Sequence, residues 1–185
     1  MNIEKVNENG KIIQINNDFC LSLNNGVFYK LEDENSKIEI YNYNPDDSVD
    51  DENSFSFYIK FYSPFPAGHE AKDISINTLL ENLHNDNDKK YKEENLDRVL
   101  VQVGKYKNIL KVLVDNDDIK SGYTSIRQTI GDIPLINEQV IENFTGYVLT
   151  NKGIYLLSSH YNYFYGMPDE LEKFMDDILS TVLSK

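Results

Sequence analysis

The strongest constraint on the fold is a period-two alternation of apolar residues over the first third of the chain. Ile13 and Ile15, then Phe19, Leu21 and Leu23, then Ile38 and Ile40, then Phe55, Phe57, Ile59 and Phe61 each recur at every second position. Successive side chains of a strand point to opposite faces, so such runs place one face in a core and leave the other to polar residues. The pieces between them, NND, NNG and a long acidic segment, are rich in turn formers. A chain that opens in this way is committed to an antiparallel sheet, whose strands can be joined by hairpin-length connections.

Further on, Ile76, Leu79, Leu80 and Leu83 fall at helical spacing. Asp73 or Ser75 stands where a short oxygen-bearing side chain can accept from the free amides of a first turn. The following segment, residues 84–95, has almost no apolar content and reads as a mobile polar connection. Strands resume at Val99, Val101 and Val103, then from Ile109 through Val114, with GKYKN between them as a turn. Another strand is expected through Tyr123, Ser125, Arg127 and Thr129. The clearest hairpin is GYVLT and GIYLLS around Asn151-Lys152-Gly153, with Gly153 expected at a positive φ. The last element is a helix with Pro168 at its first position and Asp169 and Glu170 in its first turn. Its stripe is Leu171, Phe174, Met175, Ile178, Leu179, Val182 and Leu183. The whole predicts an α+β fold: a mostly antiparallel sheet of about seven strands packed by a mid-chain helix and a C-terminal helix.

At 185 residues, 40% of them hydrophobic, the chain fits one globular domain over 1–185, able to bury about 70% of its unfolded surface without metal or disulfide staples. The lone cysteine, Cys20, cannot close an internal bridge. The first residues carry charges of both signs and no apolar run, and no stretch approaches the roughly 18 apolar residues of a spanning helix, so the expected compartment is the cytoplasm. Asn 22 and Ile 18 suggest an AT-rich, bacterial source.

The net charge of −13 is unevenly placed. Residues 32–52 hold nine acids (Glu32, Asp33, Glu34, Glu39, Asp46, Asp47, Asp50, Asp51 and Glu52) against Lys37 alone, which leaves −8 in that stretch. Two arginines, Arg98 and Arg127, are too few for a phosphate backbone, so nucleic acid and anionic membrane surfaces are both disfavoured as partners. The segment 42–54 reads either as a solvated hairpin loop or as an electrostatic docking element for a basic protein. It is not an EF-hand, and neither is any other acidic run. From Asp115 the fifth and sixth positions are Ile119 and Lys120, and from Asp86 they are Lys90 and Tyr91, where ligands and a glycine are required.

Candidate chemistry is sparse. His69 in HEAKD lacks the second histidine of a zinc-protease helix. His84 sits at a polar helix end. His160 adjoins Ser158 and Ser159, but these continue a strand rather than a nucleophile elbow. Cys20, between Phe19 and Leu21, has no cationic neighbour to activate it and reads as structural. The tyrosines carry more information. Tyr58 and Tyr62 face away from the phenylalanines of FSFYIKFY, and Tyr155, Tyr161, Tyr163 and Tyr165 share one parity later. Such faces supply either cross-strand pairs or contact area for a partner.

The order of elements resembles the PsbP-like fold family, whose relatives include the photosystem extrinsic protein, a Ran-binding nuclear-transport factor, a periplasmic lipoprotein and chaperones of bacterial secreted toxins. The matching pieces are INNDFCLSLNNGVFYKL, ISINTLLENLH, and GYVLTNKGIYLLS followed by PDELEKFMDDILSTVL, together covering about residue 10 to 183. Where that family usually has a Pro-Glu-Gly-Trp-like turn, this chain has Asn24-Asn25-Gly26. The resemblance implies a non-enzymatic binding scaffold and transfers no catalytic residue.

The expectation is therefore a protein-binding module without enzymatic activity, cofactor or metal, such as a bacterial immunity protein or toxin chaperone. Its contacts would come from Asp46, Asp47, Asp50, Asp51, Glu52, Tyr58, Tyr62, Tyr161 and Tyr163, and its partner would be a basic protein. The alternatives are a small-ligand or peptide carrier with an apolar cleft, and a hydrolase using His160.

Overall fold

The computed structural model describes residues 2–47, 51–94, 109–130, 139–162 and 165–185. It is an α+β fold. The elements in order are β1 (Glu4–Lys5), β2 (Lys11–Ile15), β3 (Phe19–Leu23), β4 (Phe28–Glu32), β5 (Lys37–Tyr41), β6 (Phe55–Pro64), α1 (Ile76–Glu94), β7 (Leu110–Asp115), β8 (Ile119–Ile130), β9 (Gln139–Thr150), β10 (Gly153–Tyr161), α2 (Glu170–Leu179) and β11 (Leu183–Ser184). Eight strands form one sheet in the order β1-β4-β5-β6-β10-β9-β8-β7, and β11-β3-β2 form a second. Every pairing is antiparallel. The expected strand around Val99–Val103 and its turn lie outside the described residues.

The large sheet is two meanders joined in the middle. β4-β5-β6 and β7-β8-β9-β10 each pair in chain order, the acidic loop intervening between β5 and β6, and β10 returns to pair with β6, from Tyr161↔Phe55 to Gly153↔Pro64. Its inner face carries Ile38 and Ile40, Phe55, Phe57 and Ile59, Tyr155, Leu157 and Tyr161, and Phe144 and Val148, all buried. The small sheet covers this face with Ile13, Ile15, Phe19, Leu21 and Leu23, and α2 covers it with Leu171, Met175, Ile178 and Leu179, forming one core. Aromatic edges set the contacts: Phe174 of α2 meets Phe55 and Phe57 at ring separations of 5.2 and 5.8 Å, and Tyr155 meets Phe19 at 5.0 Å.

On the outer face α1 lies over β7, β8 and β9, with Ile76 and Leu80 buried against Leu149. Ser75, not Asp73, caps α1, since its Oγ accepts from the Thr78 amide at 3.4 Å; Asp73 instead accepts from the Glu70 amide at 2.9 Å and closes the turn before it. The helix continues through Glu94, where the polar composition predicts a connection. Lys and Glu favour helix without leaving an apolar period to read. No helix among the described residues is long and apolar enough to cross a membrane.

Three further expectations change. α2 begins at Glu170 with Asp169 as its N-cap, so Pro168 stands just before the helix and not at its first position. Gly153 does not take a positive φ. It is needed for space, because a Cβ there would lie 2.7 Å from the Phe61 ring and 2.8 Å from the Ser63 carbonyl. Leu183 leaves the helical stripe: α2 has ended, and the residue sits in β11 opposite Cys20, 65% exposed. Cys20 is half-buried on the side of β3 that faces away from the core.

Gly146, between Tyr123 and Leu157 in the sheet, has the closest backbone approach among the described glycines. A Cβ would fall 2.1 Å from the Gly122 carbonyl oxygen and 2.7 Å from the Tyr123 Cα, both backbone atoms that cannot swing aside. Gly146→Ala is therefore expected to cost about 3 kcal/mol, the upper end for overpacking. Urea denaturation checks this, and an unchanged midpoint would show that the strands relax freely.

Candidate functional site

α1 covers only half of the outer face. The other half, across β4, β5, β6 and β10, carries no described helix, and its side chains follow from the register. One row across the sheet is Lys30, Glu39, Tyr58, Ser158 and Thr145, and the next begins with Phe28, Tyr41, Ser56 and His160. The alternation that buries Ile38, Ile40, Phe57 and Ile59 thus also places Glu39, Tyr41 and Tyr58 side by side on the open face. Together with Tyr43 and Asn143 these residues line a cleft of about 430 Å³.

Glu39 is the charged group of the cleft. Burial works to raise its pKa, but hydrogen bonds from Lys37 to Oε1 and from Tyr41 to Oε2 outweigh that and hold the carboxyl below its usual range. Tyr41 is pushed well above the ordinary phenol range, first by burial and then by its bond to Glu39. Lys37 is shared, since it also reaches Glu32 at 2.9 Å, and it lies 5.6 Å from the centre of the Tyr58 ring. Lys30 pairs with Glu32 as well, and the two lysines hold the Glu32 carboxyl down at about 2. Four charged side chains thus form a neutral network along β4 and β5. Tyr41 and Tyr43 pack edge to face, with centroids 5.8 Å apart.

The acidic loop leaves the sheet just beyond Tyr41 and returns at Phe55, at the mouth of the cleft. Asn42 ties its neck, donating to the Asn53 carbonyl and accepting from the Phe55 amide, both at 2.7 Å. Asp46 and Asp47 stand exposed on a short 3-10 turn, Pro45–Asp47. Asp51 is exposed too, but one of its oxygens serves the loop, accepting from the Asn53 amide at 2.8 Å and the Ser54 hydroxyl at 3.0 Å. Glu52 is exposed.

The residues expected to meet a partner therefore separate. Asp46, Asp47, Asp51 and Glu52 belong to the loop that leads into the Phe55 end of β6, and Tyr58 stands three residues into that strand, roughly 10 Å from its start at 3.3 Å per residue. Tyr62 is 65% exposed but sits four residues further along the strand, at the register shift opposite Ile154 and Tyr155, roughly 13 Å away at 3.3 Å per residue. Tyr161 is a correction. It is 2% exposed, on the inner face, where its hydroxyl donates to the Glu142 carbonyl and accepts from the Glu142 amide, so it contacts the core and not a partner. Asp50 and Tyr163 lie outside the described residues. Among the serines beside His160, Ser158 lines the cleft on the outer face, whereas Ser159 is 3% exposed and fixed between Asn143 Oδ1 and the Phe144 amide, each at 2.9 Å. The space between α2 and the sheet is filled by Phe55, Phe57 and Phe174.

Neither a family model nor a curated protein matches the sequence. A crystal structure from Bacteroides thetaiotaomicron VPI-5482, at 1.50 Å resolution, is similar over 90% of this chain at 12% identity and a TM-score of 0.43; the chain spans 45% of that structure's length.

The Glu32 pairs have a pH signature. A carboxyl lowered from 4.5 to about 2 contributes stability that is fully present above about pH 4.5 and is lost as the pH falls through about 2. The stability difference between wild type and Glu32→Gln, from urea midpoints, is expected to be largest above pH 5 and to shrink toward pH 2. A constant difference across that range would mean that the lysine pairs contribute nothing.

Proposed function

We propose that this chain is a cytoplasmic, non-enzymatic protein-binding module that holds a basic partner stoichiometrically, in the manner of a bacterial immunity protein or toxin chaperone. The observation that carries the reading is a tyrosine-bearing sheet face that no described helix covers, with four exposed acids, Asp46, Asp47, Asp51 and Glu52, in the loop that leaves that sheet after Tyr41 and re-enters it at Phe55. Tyrosines give stiff contact area at low entropic cost, and unpaired surface acids steer a cationic partner toward it. The order of elements is compatible with a PsbP-like scaffold, and that reading of the fold is likewise ours.

Affinity capture from the source organism's lysate at low and high salt tests the proposal. A stoichiometric basic protein, retained at low salt, is the expected result. With that partner purified, the triple variant Asp46→Asn/Asp47→Asn/Glu52→Gln should associate about tenfold more slowly at low salt and show a flatter salt dependence. Asp51 is left in place because it also holds the loop. Equal association rates would remove the steering role, and the absence of any stoichiometric basic protein would remove the reading itself.

A further inference from the structure

We propose that the cleft between β5, β6 and β10 is an anchor pocket for a single arginine side chain of the partner, an inference that rests on the protein-binding reading and names the chemistry the partner must present. The first argument is the unused capacity of Glu39. An ionised carboxylate has about four lone-pair positions. Lys37 takes one on Oε1 and Tyr41 takes one on Oε2, which leaves one acceptor on each oxygen. Two parallel acceptors on one carboxylate are what the fork of a guanidinium matches, and a compact ammonium cannot use both in this way.

The second argument is the walls. Tyr41 and Tyr43 stand edge to face and offer aromatic surface to a cation, while Tyr58, in the same row as Glu39, already has the Lys37 ammonium by its ring and serves as an apolar wall. A planar, weakly hydrated cation stacks on such rings at a lower desolvation cost than a lysine does. Size is the third argument. About 430 Å³ lies within the range of ligand pockets, about 300 to 1,000 Å³, so the cleft has room for a whole guanidinium side chain.

Charge sets the sign of the occupant. The network of Lys30, Glu32, Lys37 and Glu39 is neutral by itself, Lys60 adds one cation opposite Lys37 on the same face, and the four exposed loop acids Asp46, Asp47, Asp51 and Glu52 outweigh it. An incoming anion is repelled by them, and a cation is drawn toward the one carboxylate able to receive it.

The test uses the full chain, labelled with ¹⁵N and titrated with N-acetyl-argininamide, N-acetyl-lysinamide and N-acetyl-citrullinamide. The expected result is saturable amide shifts at Glu39, Tyr58 and Ser158 with the arginine compound, binding about fivefold weaker with the lysine compound, and none with the citrulline compound, which keeps the shape but not the charge. Ser158→Leu fills the cleft from an outward-facing strand position and should abolish the shifts, while Glu39→Gln should weaken binding about tenfold. Both variants are to be checked for an unchanged amide spectrum elsewhere. Shifts confined to residues 42–54, or insensitive to Ser158→Leu, would overturn the pocket. A captured basic partner that binds the Ser158→Leu protein as tightly as wild type would overturn the anchor while leaving the protein-binding reading intact. Cleft binding of N-acetyl-argininamide with no basic protein captured would instead overturn the partner and leave a site for a free guanidinium compound.

Discussion

The antiparallel pairing of β6 with β10 is the constraint on which the rest of the molecule depends. These strands are far apart in sequence, and their ladder from Tyr161↔Phe55 to Gly153↔Pro64 is what fuses two meanders into one eight-stranded sheet. Because side chains alternate, a slip of one residue along this ladder would carry Phe55, Phe57 and Ile59 to the open face and Tyr58 into the core. The shift opposite Ile154 and Tyr155 and the tight seat of Gly153 against Phe61 and Ser63 hold one end of the register. The cleft is a by-product of the same register: Glu39, Tyr58 and Ser158 come from three strands and share a row only because both neighbouring ladders are fixed.

The acidic stretch is held together by its single base. Between residues 32 and 52 the only cation is Lys37, and it sits half-buried between Glu32 and Glu39 on the open face. A surface ion pair contributes little stability on its own. A lysine shared by two carboxylates and an aromatic ring has a different effect, since it fixes rotamers on three neighbouring strands. The stretch thereby divides by role. Glu32 and Glu39 are spent inside the sheet, and Asp33 and Glu34 make the positive-φ turn between β4 and β5. The loop acids remain for solvent or a partner. A net charge read from the sequence does not distinguish these roles, because pairing depends on cross-strand neighbours.

Alternation made the inner face legible without coordinates, since every apolar residue of the β2, β3, β5 and β6 pattern except Phe61 is buried. The outward position of Tyr58 follows from the same parity. What could not be read is which parity is inner in β10. There tyrosines occupy the core, and Tyr155 and Tyr161 satisfy their hydroxyls on Asp18 and on the Glu142 backbone. A tyrosine whose polar tip finds a buried partner behaves as a core aromatic, and its partner, well over a hundred residues distant in the case of Tyr155, leaves no local trace. Half of the candidate site was equally visible. Glu39 and Tyr41 alternate with buried isoleucines and must therefore face outward, but their meeting with Ser158 and His160 needed the long-range ladder.

The loop and the cleft act over different distances, and that separates their contributions to any encounter. Loop acids in water are screened beyond about 8 Å at physiological salt, so they bias the approach of a cation without fixing its orientation. Glu39 is partly buried and held from both oxygens, so under the proposed binding it would contribute only after a cation had entered the cleft and shed water. Rates should then track the loop and residence times should track the cleft, since rim charges act mainly on association and desolvated pairs mainly on dissociation. The neutral network around Lys37 makes this division possible. If Glu39 lacked its lysine, only the Tyr41 hydrogen bond would be left to oppose the upward pull of burial on its carboxyl, and the ionised form that presents two charged acceptors to a guanidinium would be less favoured.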